Sequence, residues 1–187
     1  MTVPSSRLRD ELTRSVPNLR AFAMSLCGDA TRADDLAQET LVKAWDKLAL
    51  FEEGTNLKAW LFTILRNIFY SEQRKRKREV EDADGTLSAN LAVHPEQLGH
   101  MDVSDFLIAL QQLPSDQREA LILVGAEGFS YEEVAGISGC AVGTVKSRVN
   151  RARRRLSEIL GLDNSNDFGP DPMSKAVVGH GQVARSK

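Results

Sequence analysis

Between Ser130 and Leu156 the chain reads SYEEVAGISGCAVGTVKSRVNRARRRL, a short acidic helical stretch, a glycine, and then a long, strongly basic helical stretch. Ser130 is placed to cap the first helix with Glu133 as its capping-box partner, and Gly139 supplies the permissive backbone of a turn. Val145, Val149, Ala152, Leu156 and Leu160 recur at three and four residues, which gives the second helix one apolar face. With that face turned inward, Ser147, Asn150, Arg151 and Arg154 point away from it; Lys146 lies beside them, and Arg148 and Arg155 lie nearer the flanks. This is the pattern of a helix-turn-helix that reads duplex DNA. Phosphates attract the cations, arginine can pair bidentately with guanine, and asparagine with adenine. A solvated basic helix closing a bundle would carry a similar charge run, but without the capped helix and glycine turn ahead of it.

The net charge of −2 over 187 residues does not oppose this reading, because the basic residues are segregated into Arg74–Arg78 and Lys146–Arg155. Cys27 and Cys140 stand alone, and His94, His100 and His180 are scattered. No metal site, disulfide framework or cofactor is expected from such spacing. No set of His, Cys, Ser and carboxylates recurs at catalytic spacing, which disfavours an enzyme. No apolar run reaches membrane-span length and the N-terminus lacks a secretion signal, so the expectation is a cytoplasmic protein with no membrane insertion.

Helical periodicity runs from about Ser6 to Lys77, breaks between Glu79 and His100, and resumes from Val103 to Leu160, while strand alternation is absent. The expected fold is all-α, two small helical domains joined by a flexible linker. Residues 1–78 form the first domain, 79–102 the linker, 103–162 the second domain, and 163–187 a tail expected to be disordered. In the first domain Leu8, Leu12, Leu19, Phe22 and Leu26 mark one helix, in which Pro17 either makes a kink or starts a new helix. Asp29 or Thr31 caps the next, whose expected inward stripe is Leu36, Ala37, Leu41, Ala44, Trp45 and Leu48. Its outer side carries Asp35, Gln38, Glu39 and Val42, a stripe suited to docking against another helix, although the helix dipole accounts for the acidic residues equally well. A third helix turns Leu57, Leu61, Ile64, Leu65 and Ile68 inward and Thr63, Asn67, Tyr70, Arg74 and Lys77 outward. Such a mixture of amides, aromatics and cations suits unstacked single-stranded nucleic acid. Trp60 borders the apolar side and belongs to the core rather than to a stacking platform.

The segments DDLAQETLVKAW, KAWLFTILRNIFYSEQRKRKR and LPSDQREALILVGAEGFSYEEVAGISGCAVGTVKSRVNRARRRL together resemble bacterial sigma factors of the extracytoplasmic-function type, over nearly everything from Leu8 to Leu162. The resemblance implies two helical domains, regions 2 and 4, that bind core RNA polymerase at the clamp of its largest subunit. It implies promoter DNA as the other partner, with the minus-35 element read as duplex and the minus-10 element during melting. Carried over by position, Asp35, Gln38, Glu39 and Val42 match the clamp-binding helix. The loop from Phe51 to Ala59, including Phe51 and Asn56, and the helix residues Thr63, Asn67, Tyr70 and Arg74 match the minus-10 and melting surface, with Asn67 as the side chain that captures a flipped base. Lys146, Ser147, Asn150 and Arg151 match the minus-35 base contacts, and Ser130, Thr144, Arg148 and Arg154 are suited to phosphates. LRAFAMSLCGDATRADDLAQETLVKAW and DFGPDP are further similar to the alphaproteobacterial general-stress group. That implies a small anti-sigma factor covering both domains, released when a response regulator with a sigma-like decoy captures it. The alternatives are a helix-turn-helix regulator that is no polymerase subunit, and a sigma-like decoy protein. The absence of any receiver-like segment favours the sigma factor over the decoy.

Overall fold

The computed structural model describes residues 6–52, 54–82 and 103–161. Among them the regular structure is helical: α1 (Ser6–Cys27), α2 (Ala30–Asp46), a 3-10 turn at Leu48–Leu50, α3 (Leu57–Asp82), α4 (Val103–Gln111), α5 (Ser115–Gly125), α6 (Tyr131–Ser138) and α7 (Val142–Leu160). Helix α3 carries helical backbone to Asp82, into the 79–102 segment; the rest of that segment and the 163–187 tail lie outside the described residues.

Helix α1 runs unbroken through Pro17, so the proline neither ends nor restarts it. Gly28 follows at φ 71°, and a Cβ there would lie 2.9 Å from the Gln111 side chain of α4. Both the left-handed backbone and that close approach require glycine. Asp29, not Thr31, caps α2 by accepting the Arg32 N–H at 2.7 Å. Leu8, Leu12, Leu19, Phe22 and Leu26 of α1 are buried against Leu36, Ala37 and Ala44 of α2 and Leu57, Leu61, Leu65 and Ile68 of α3. Trp45 departs from the expected inward stripe and is 51% exposed. At about 100° per residue it lies half a turn from Leu36. The buried ridge instead follows Ala33, Leu36, Ala37, Thr40 and Ala44, with the Thr40 hydroxyl donating to the Leu36 carbonyl at 2.7 Å.

In the second module α5, α6 and α7 form the helix-turn-helix, and α4 closes its base, where Ala109, Leu110 and Leu113 pack on Ala152 and Leu156. The capping box is complete: Ser130 Oγ accepts from Glu133 N, and Glu133 Oε2 accepts from Ser130 N at 2.9 Å. Gly139 sits at φ 63° and ends α6.

The two modules pack directly on one another, an arrangement that neither periodicity nor the linker composition foretells. Phe62 of α3 stacks on Phe22 at 4.9 Å and meets Phe129, ahead of α6, edge-on at 5.3 Å. One buried apolar cluster therefore runs from Leu8 through Phe62 and Phe129 to Val149. Polar ties border it: Gln111 Nε2 donates to the Ser25 carbonyl at 2.9 Å, and buried Arg118 bonds the Gln111 side chain.

Candidate nucleic-acid interface

Helix α7 separates its two faces completely. Val145, Val149, Ala152 and Leu156 have no exposed surface, whereas Lys146, Asn150, Arg151 and Arg154 are all exposed. Arg151 Nη2 donates to Ser147 Oγ at 3.1 Å, and that hydroxyl donates to the Thr144 carbonyl at 2.9 Å, so this row is held in register along the helix. Lys146 Nζ lies 5.7 Å from the centre of the Tyr131 ring. Arg148 is half-buried, paired with Asp116 at 3.0 Å, with Nη1 3.7 Å from Cys140 Sγ. It is therefore braced toward the flank. The Ser130 hydroxyl accepts the Glu133 N–H in the capping box. Ala141, before α7, offers no side-chain cap, so the first N–H groups of α7 are available to an anion beside half-buried Thr144. Sequence patterning had no signal for that backbone contribution.

The outward row of α3 is less uniform. Asn67 and Arg74 are exposed, and Thr63 is half-buried with its hydroxyl donating back to the Ala59 carbonyl at 2.9 Å. Asn67 and Arg74, with Arg66, Tyr70, Gln73 and Lys77, border a groove of about 350 Å³, which Thr63 does not line. Arg66 was missed by sequence reasoning; the signal was its position four residues before Tyr70, whose ring its guanidinium covers at 4.7 Å. Tyr70 and Arg66 are not free. Tyr70 donates to Glu119 Oε2 at 2.7 Å and Arg66 Nε to Glu119 Oε1 at 2.5 Å, while the Ser138 hydroxyl donates to the same carboxylate at 3.0 Å. Burial, reinforced by the Glu119 charge, pushes the Tyr70 hydroxyl well above the ordinary phenol range, so it remains a donor.

Within the loop ahead of α3, Phe51 packs on half-buried Trp60 at 5.1 Å. Asn56 Oδ1 accepts the Ala59 N–H at 3.0 Å, and its amide donates to Glu133 Oε1 at 2.7 Å. Thr55, Asn56 and Lys58 face Arg14, Ser15 and Asn18 of α1 across a groove of about 490 Å³. The α1 wall carried no periodicity signal, since Arg14, Ser15 and Asn18 lie outside its apolar stripe.

On α2, Asp35, Gln38 and Val42 are exposed, and Glu39 pairs with Lys43 at 2.7 Å. Val42, Trp45 and Leu50 are the large apolar residues most open to solvent among those described, a continuation of the stripe that the inward placing of Trp45 concealed. Among the described residues no group of His, Cys, Asp and Glu is placed to hold a metal ion, and no helix is long and apolar enough to cross a membrane.

The chain matches two family models, Sigma-70 region 2 over residues 12–79 and Sigma-70 region 4 over residues 106–156. It is 60% identical to the ECF RNA polymerase sigma factor EcfG of Rhodopseudomonas palustris (strain TIE-1), over 92% of this chain and 95% of that protein. Among solved structures it resembles the sigma factor RpoE from Bartonella quintana, crystallised with the anti-sigma factor NepR. The TM-score is 0.75 at 57% identity, covering 86% of this chain and all of that one. It also resembles CnrH in complex with the cytosolic domain of CnrY, with a TM-score of 0.60 at 27% identity over 83% of this chain and 88% of that one.

Proposed function

Starting from the membership of this chain in the extracytoplasmic-function RNA polymerase sigma factors, we propose a division of promoter recognition among its three polar surfaces. Helix α7 enters the major groove of the minus-35 element. Lys146, Ser147, Asn150 and Arg151 meet base edges, and Ser130, Thr144, Arg148 and Arg154 neutralise or hydrogen-bond the flanking phosphates. The observation that carries this is the clean separation on α7 between residues without exposed surface and an exposed row of amide and cations.

The loop with Phe51 and Asn56 and the α3 row of Thr63, Asn67, Tyr70 and Arg74 receive the minus-10 element. Asn67 offers both a donor and an acceptor to a base leaving the stack, while Arg74 and its neighbours hold the strand's phosphates. Asp35, Gln38, Glu39 and Val42 dock on the clamp of the largest polymerase subunit. The protein acts in the cytoplasm within a stress response, held in check by an anti-sigma factor, by analogy with the complexes of RpoE with NepR and of CnrH with CnrY. Because an anti-sigma partner and not the chain's own tail supplies this control, deleting residues 163–187 leaves basal transcription nearly unchanged.

Run-off transcription with purified core polymerase on a promoter library tests the reading. Initiation and promoter binding that both require core polymerase are expected. Specific duplex binding by the chain alone, with no transcripts, would instead make it a conventional regulator.

A further inference from the structure

We propose that the second module shuts the promoter-melting surface of the first by acting as a carboxylate plug, in which Glu119, Glu127 and Glu133 take the donors that the melted strand needs. The inference rests on the assignment of α3 and its preceding loop to the minus-10 element. Asn56 donates to Glu133, Lys58 Nζ pairs with Glu127 Oε2 at 2.9 Å and also reaches the Glu127 carbonyl at 2.9 Å, and Arg66 and Tyr70 both donate to Glu119. A cation or amide that suits a phosphate or base edge is here met each time by a carboxylate of the facing module. Glu119 is 1% exposed, and the Glu127 side chain is 6% exposed. Carboxylates so buried require these partners.

The plug is selective. Lys146, Asn150, Arg151 and Arg154 on α7 stay exposed, as do Asp35, Gln38 and Val42 on α2. Polymerase can therefore reach the closed protein, while Arg66 Nε and the Tyr70 hydroxyl are already taken by Glu119. Parting the modules also exposes the Phe62–Phe129 contact, so the closed state is held by apolar burial as well as by the carboxylate pairs. Affinity of the free protein for single-stranded DNA is then scaled down by the fraction of molecules that are open.

The test compares the full-length protein with the Glu119→Gln/Glu127→Gln variant. The ligand is a fluorescein-labelled single-stranded oligonucleotide from the non-template minus-10 region of a promoter transcribed by the holoenzyme. Small-angle scattering without DNA or polymerase should show a larger radius of gyration for the variant, and anisotropy should show at least tenfold tighter binding. Glu127→Gln alone, which spares Glu119, should shift both in the same direction by less. Run-off transcription by the variant holoenzyme should match the wild type if polymerase docking has already parted the modules, and it checks that the variant is folded. Unchanged scattering, or opening with no gain in oligonucleotide affinity, would overturn the plug. Failure of the sigma reading itself would appear separately, as absence of transcripts from the wild-type holoenzyme.

Discussion

Truncating Arg151 to alanine isolates base reading from every other role of α7. The residue is exposed, and its guanidinium bonds Ser147 Oγ on the same helix, at 3.1 Å. Its removal should therefore alter folding stability by no more than about 0.5 kcal/mol. A bidentate contact to a base edge is worth about 1–3 kcal/mol. At about 1.4 kcal/mol per factor of ten, affinity for the cognate minus-35 element should fall by about 5- to 150-fold. The assay is equilibrium binding of the variant holoenzyme to promoters in which each base pair of that element is changed in turn. At one position the variant should lose its discrimination, because the mismatch penalty and the truncation penalty are then the same interaction counted once. Equal weakening on every duplex, together with a salt slope shallower by about one unit, would make Arg151 a phosphate anchor and refute the assignment.

Asn67→Ala should impair promoter opening more than closed-complex binding, as reported by permanganate reactivity of the melted bases and restored by a pre-melted template. Leu156→Ala, at a position with no exposed surface between α7 and α4, should destabilise the protein by about 2–5 kcal/mol in chemical denaturation. Ser130→Ala should cost about 1 kcal/mol by removing the α6 cap. Glu133 is held below the ordinary carboxylate range, first by the Ser130 N–H, with the Ser130 hydroxyl and Asn56 assisting against the opposing effect of burial. Its contribution is therefore complete above the ordinary carboxylate pKa and fades as pH falls through the lowered native value, so thermal melts of Glu133→Gln should show a shallower acid limb than wild type.

Much of the fold was legible because it is written in local periodicity. The apolar rows of α1, α3 and α7 and the Ser130 capping box depend on residues three or four apart, and the helices keep those residues in contact. Asp29 was one of two acceptable caps, and only the structure separates it from Thr31. Trp45 was misplaced because it adjoins Ala44 in sequence, while the ridge that fits against α1 and α3 follows Ala33, Leu36, Ala37, Thr40 and Ala44 and leaves Trp45 on the outer side. Glu119 was invisible for a different reason. A glutamate on an amphipathic helix ordinarily faces water, and nothing local to α5 says that Arg66 and Tyr70, about fifty residues earlier, will bury it. The same holds for Phe62, whose partner Phe129 belongs to the other module. The candidate sites followed this division: the exposed row of α7 could be read from its own helix, whereas the surface proposed for the minus-10 element is bordered by α1 and partly occupied by α5 and α6, contributions that appear only once the chain has folded.

The isolation of the α7 reading row from the hydrophobic core has an evolutionary consequence. Asn150 and Arg151 project into solvent from a helix anchored by Val145, Val149, Ala152 and Leu156 on its other side. On the proposed assignment, replacement of either alters what the helix can recognise while leaving the anchor, the turn at Gly139 and the cap at Ser130 untouched. Descendants of such a chain can therefore drift toward new target sequences through folded, polymerase-competent intermediates. Substitution at Glu119 is not so free, because that carboxylate answers to three side chains on two elements besides its own. A duplicated copy can acquire a separate set of genes by changing a few solvent-facing side chains, long before its architecture or its inherited partners diverge.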